Sequence, residues 1–133
     1  MGNKFNFNSQ VATSRSQSER LLALGLKKET ADVTIHHEYG ITTIFGIDYS
    51  KYVDLHKEQG YTEDFFKNVF PAWSLSRLIN IIQEDCPRLD IIKNVVWIKS
   101  VRFNANNIYD NLISAYEWLI KEGYFNKEYL CEK

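Results

Sequence analysis

The sequence predicts an α+β domain: a small antiparallel sheet of two hairpins covered by about three helices. Three observations carry that prediction. The stretches 33–47 (VTIHHEYGITTIFGI) and 89–103 (LDIIKNVVWIKSVRF) are rich in β-branched and aromatic residues, and each is broken, at Tyr39-Gly40 and at Lys93-Asn94. Three other stretches repeat apolar residues at helical spacing between capping signals. The strand-like stretches come in neighbouring pairs, which hairpins join without a crossover, whereas parallel strands need a helix between them. The expected order is α-ββ-(variable)-α-ββ-α, in a single domain over residues 1–133.

Each element has a local cause. Residues 1–12, polar with only Phe5, Phe7 and Val11 as anchors, read as a loose N-terminal arm. In TSRSQSERLLALGL, Ser14 with Gln17, or Ser16 with Glu19, offers a capping box that satisfies free backbone N–H groups. That helix should stop at Gly25, which suits the left-handed C′ position, with Leu26 reaching back to Leu21. In the first hairpin Val33, Ile35, His37 and Tyr39 would share a face. Residues 48–70 read as a variable insertion, either short helices or an ordered loop. Tyr49, Tyr52, Val53 and His56 fall at helical spacing before Gly60, and Phe65, Phe66 and Val69 do so before Pro71.

The stretch FPAWSLSRLI, residues 70–79, looks most like a motif. A nucleophile elbow needs glycines around its serine, and here Trp73 and Leu75 flank Ser74 instead. Ser74 is better placed as the N-cap of a helix, with Trp73 and Leu78 as the hydrophobic staple. Leu75, Leu78, Ile79 and Ile82 continue as an apolar stripe that ends near Cys86-Pro87. Residues 89–103 then supply two strands, with Trp97, Val101 and Phe103 on one face. The last helix starts at Asn107, three residues before Asp110, and carries Ile108, Leu112, Tyr116 and Leu119 on one stripe. Gly123 ends it at C′, Lys121 suits the negative end of the dipole, and Phe125, Tyr129 and Leu130 beyond it can pack.

Composition narrows the chemistry. Sixteen basic against seventeen acidic residues leave a formal charge of -1, so no global field draws the chain to phosphate backbones or anionic lipid. Cys86 and Cys131 lie in no ligand spacing and fit a reduced compartment. No apolar run reaches membrane-span length, and the polar start MGNKFNFNSQ lacks a signal-peptide core, so the cytoplasm is the expected location. The six glycines are isolated, without the clustering of a nucleotide cradle. His36, His37 and His56 with Asp48, Asp54 and Glu58 come nearest to a metal site, yet neighbouring strand residues point to opposite faces and no ligand spacing appears. No metal, cofactor or catalytic residue is therefore expected. Lys93, Lys99 and Arg102 near Trp97 and Phe103 are the minor option for single-stranded nucleic acid.

Three pieces carry a resemblance: Ser14, Gln17, Ser18, Leu21, Leu22, Leu24 and Gly25; then Thr30, Ala31 and Asp32; then Trp73 to Ser76, with Trp118-Leu119 in the closing helix. On these residues the chain is similar to a group of small uncharacterised proteins encoded in phages and prophages of gut anaerobes. The resemblance implies a mobile-element origin. It implies no activity, and residues 48–70 look particular to this member.

The functional expectation is a non-enzymatic phage or prophage accessory protein that binds a host or phage protein in the cytoplasm. Tyr49, Tyr52, Phe65 and Phe66, set among charges in the variable segment, are the partner-contact candidates. Ser14, Gly25, Trp73, Ser74 and Gly123 are read as structural. The alternative is a small enzyme or small-molecule-binding domain with a pocket over the sheet, and the third reading is a single-strand nucleic-acid module.

Overall fold

The computed structural model describes residues 10–132, and within them the α+β class holds, with five α-helices and two three-stranded antiparallel sheets. Helix α1 (Arg15–Ala23) leads through a 3-10 turn (Lys28–Thr30) into β1 (Val33–Glu38) and β2 (Ile41–Phe45). The segment expected to vary folds as α2 (Tyr49–Glu58), α3 (Glu63–Phe66) and the start of β3 (Val69–Ala72), and α4 (Leu75–Asp85) follows. Then come β4 (Leu89–Ile92), β5 (Val95–Ile98), β6 (Val101–Phe103), α5 (Ile108–Glu122) and a 3-10 turn (Lys127–Tyr129). No helix among the described residues is long and apolar enough to cross a membrane.

The helix ends follow the local chemistry. Ser14 and Gln17 form the capping box of α1, and the helix closes with Gly25 at φ 99° and the Leu26 N–H donating to the Leu21 carbonyl (3.1 Å). Asn107 caps α5, and Gly123 ends it at φ 80°. Ser74 caps α4 by accepting from the Arg77 N–H (3.1 Å).

The two hairpins lie in separate sheets, ordered β2-β1-β3 and β4-β5-β6. Val69 is not the end of a helical stripe, as its spacing suggested; it opens β3, where Val69, Phe70, Pro71 and Ala72 pair with His36, Ile35, Thr34 and Val33. Pro71 is tolerated because β3 is an edge strand. Residues 89–103 make three strands rather than two, because Lys99 and Ser100 form a second tight turn, at φ 49° and 67°. That turn also corrects the expected face. Ile98 pairs with Val101 and Val96 with Phe103 on the buried side, while Trp97 pairs with Arg102 on the other.

The main core lies between α1, α4, α5 and the inner face of β5, with Leu21, Trp73, Leu78, Ile82, Val96, Leu112, Tyr116 and Leu119 all buried. The Tyr116 hydroxyl donates to the Leu78 carbonyl (2.7 Å), and burial pushes this phenol well above its ordinary value. A smaller cluster joins Val33, Ile35 and Ala72 of the first sheet to Ala12. Of the stretch read as a loose arm, residues 1–9, with Phe5 and Phe7, lie outside the described residues. Residues 10–12 are held in place: Ala12 is buried, and the Gln10 side chain accepts from Asn107 Nδ2 (3.0 Å).

Candidate functional site

Four of the residues that carry the resemblance, Thr30, Asp32, Trp73 and Ser74, meet at one joint. Ser74 donates from its backbone N–H to Asp32 Oδ1 (2.9 Å) and from its hydroxyl to Asp32 Oδ2 (2.6 Å) while capping α4. The Trp73 indole donates to Thr30 Oγ1 (2.9 Å), and the Arg77 guanidinium donates from Nε to the Thr30 carbonyl (2.8 Å). On the other side Thr13 accepts from the Trp73 N–H through its hydroxyl (3.0 Å). Ser74 thus has both hydroxyl functions committed to structure, its proton to Asp32 and its oxygen to the Arg77 N–H. Glu29, Asp32, Asp48 and Arg77 also border a small cavity of about 160 Å³, but Asp32 and Arg77 spend these hydrogen bonds on the joint.

The partner-contact candidates are split by the fold. Tyr52 is only 4% exposed and its ring stacks on His56 at 4.0 Å, with Phe45 on its other side at 5.2 Å. Phe65 is half-buried against His56, Tyr61 and His36. These rings form a layer that holds α2 and α3 over the first sheet, so Tyr52 offers no free surface. Tyr49 and Phe66, both half-buried, border a groove of about 310 Å³ with Lys28, Asp54, Lys57 and Glu63.

Each histidine has a local partner. His56 Nδ1 lies 2.8 Å from the Tyr52 carbonyl, which can only accept, so this nitrogen carries the proton. His36 Nε2 bonds Glu38 (3.0 Å) and His37 Nδ1 bonds Thr42 (2.6 Å). Among the described residues no group of three or more His, Cys, Asp or Glu side chains is placed to hold a metal ion.

The outer face of the β4-β5-β6 sheet is different. Its inner face packs on α5 through Val96 and Ile98, and the outer one is left to solvent. There Trp97 is 37% and Ile92 64% exposed, in a groove of about 620 Å³ bordered by Arg88, Asp90, Lys99 and Ser100. The Arg102 guanidinium lies over the Trp97 ring at 5.6 Å, a cation–π contact worth about 0.5–1 kcal/mol at an exposed site. Lys99 Nζ sits 4.4 Å from the Tyr124 ring centre, just beyond α5. Three cations therefore ring an apolar floor that holds one carboxylate, Asp90. The sequence flagged Trp97, Lys99 and Arg102 together, but it grouped them with Phe103, which the Lys99-Ser100 turn sends to the core side. No family model, no curated protein and no solved structure matches the chain.

Proposed function

We propose that this protein is a non-enzymatic binding module whose working surface is the open face of β4-β5-β6, and that its ligand is an acidic, apolar-bearing segment of another protein. The observation that carries this reading is the groove in which exposed Trp97 and Ile92 lie with Arg88 and Lys99, and Arg102 lies over the Trp97 ring. An apolar centre with a charged rim is how protein interfaces are composed, and the cationic rim selects carboxylates on the partner. A single nucleic-acid strand would use the cations but gain little from Ile92, and it would lack the second stacking ring, since Phe103 faces inward. A small-molecule site is less well served, because the groove floor is an exposed sheet and its polar groups stand along the rim rather than converge. The setting, a phage or prophage accessory protein acting on a protein in the host cytoplasm, is supported by the resemblance of the Ser14–Gly25, Thr30–Asp32 and Trp73–Ser76 pieces.

The test is an NMR titration of isotope-labelled protein with a synthetic peptide of alternating Glu and Leu. The amides of residues 88–102 should shift, and Trp97→Ser or Arg102→Glu should each weaken binding about tenfold, or about 1.4 kcal/mol. Oligothymidylate shifting the same amides more strongly would replace protein by nucleic acid as the ligand. If neither probe moves them, the groove is not the working surface.

A further inference from the structure

The first sheet has an unguarded edge. Of the four sheet edges among the described residues, β3 carries Pro71, β4 carries Asp90 between Arg88 and Lys93, and β6 carries Arg102 next to Lys99. Such residues keep edge strands from pairing with other chains. The β2 edge has none: from Tyr39 to Ile47 the chain contains no charge and no proline. Tyr39 (92% exposed), Ile41 (67%), Ile44 (47%) and Ile47 stand along this one hairpin, four of the eleven exposed large apolar side chains.

We infer that β2 is a self-association surface whose occupant is β2 of a second copy, paired antiparallel about a two-fold axis at Thr43. The hydrogen-bond phase fixes this register. The His37 N–H donates to the Asn68 carbonyl (2.9 Å), so the odd residues of β1 bond toward β3 and the even ones toward β2. The β2 partners of those even residues are Phe45, Thr43 and Ile41, which leaves the N–H and C=O groups of Thr42 and Ile44 directed off the free edge. With the axis at Thr43, Thr42 of each copy faces Ile44 of the other, and the two pairs exchange four backbone hydrogen bonds. Ile41 then meets Phe45 and Thr43 meets Thr43, cross-strand pairs of the favourable β-branched, aromatic and threonine kinds with no like charges opposed. Each chain offers one such edge, so association closes at two copies. Two five-residue strands bury less than the roughly 1,200 Å² of a stable complex, so the dimer is weak and concentration-dependent.

Sedimentation equilibrium across a concentration series, with reductant present because Cys131 is exposed, tests this. The average mass should climb from one chain toward two. Ile44→Lys should hold it at one chain while the melting temperature stays near the parent's. Thr42→Pro, which removes an N–H directed off the edge and leaves the β1-β2 ladder intact, should do the same, so the result does not rest on one variant. Trp97→Ser should leave dimerisation unchanged. A single-chain mass at millimolar concentration, growth beyond two chains, or a dimer that survives both edge variants would overturn the inference.

Discussion

The two sheets share size and antiparallel order, yet they expose different parts of themselves. In the β2-β1-β3 sheet the central strand is enclosed, by the ring layer of α2 and α3 on one face and by burial of Val33 and Ile35 with Ala12 and Ala72 on the other, while β2 is largely exposed and leaves its edge open. The β4-β5-β6 sheet has charged residues at both edges and leaves a whole face open. Burial follows this contrast: Val33, Thr34 and Ile35 are buried in succession, whereas β5 alternates through Val96, Trp97 and Ile98. A strand buried on both faces loses the alternation that a half-covered strand keeps. The first sheet can therefore add a strand, and the second can receive a surface.

The largest effect that would break this comparison is on its aromatic layers. Tyr52→Ser should cost about 3 kcal/mol or more in urea unfolding, because it removes a buried ring from between Phe45 and His56. Trp97→Ser should cost clearly less, about 1 kcal/mol, because the ring is 37% exposed and what it loses is chiefly the cation–π contact with Arg102. Equal costs would mean that the open face is itself packed, and the contrast between the sheets would fail.

Alkali should sharpen the picture next. Tyr52, against the first sheet, and Tyr116, in the main core beside the second, both have phenols raised by burial, Tyr116 the more strongly. A raised folded value favours the neutral ring, so this stability is fully present below about pH 10 and is lost as pH rises from there through the folded values. Tyr116→Phe should cost about 1 kcal/mol at neutral pH through its lost bond to Leu78, and should reduce the alkaline loss seen in thermal melts. An unchanged alkaline profile would show that other groups set it.

Local signals made the helix ends legible. Ser14 with Gln17, Gly25, Ser74, Asn107 and Gly123 act on backbone groups within a few residues, so their roles can be read without knowing the fold. Strand β3 was not legible, because its helical spacing before Pro71 outweighed a pairing with β1 that lies more than thirty residues away. Asp32 gave no sign of its role, since the serine it binds is 42 residues on. The candidate face was half legible: the residue types of Trp97, Lys99 and Arg102 were informative, but their side of the sheet depended on a turn without glycine, asparagine or proline. That turn gives the smallest predicted effect. Ser100→Gly should stabilise by about 0.5 kcal/mol, the relief of a left-handed residue partly offset by glycine entropy, and should leave peptide binding at the open face unaltered.

The clasp between distant parts of the chain bears on the protein's synthesis. Gln17 donates to Asp110 (2.8 Å), Gln10 holds Asn107, and Leu26 bridges Leu130, so part of the packing of α1 comes from the last fifth of the chain. At roughly 5–20 residues per second, α1 must wait on the order of 5–20 s after leaving the ribosome before those contacts can form. During that interval the first sheet can assemble with its β2 edge exposed, at the high local concentration of a polysome, where a neighbouring nascent copy carries the same edge.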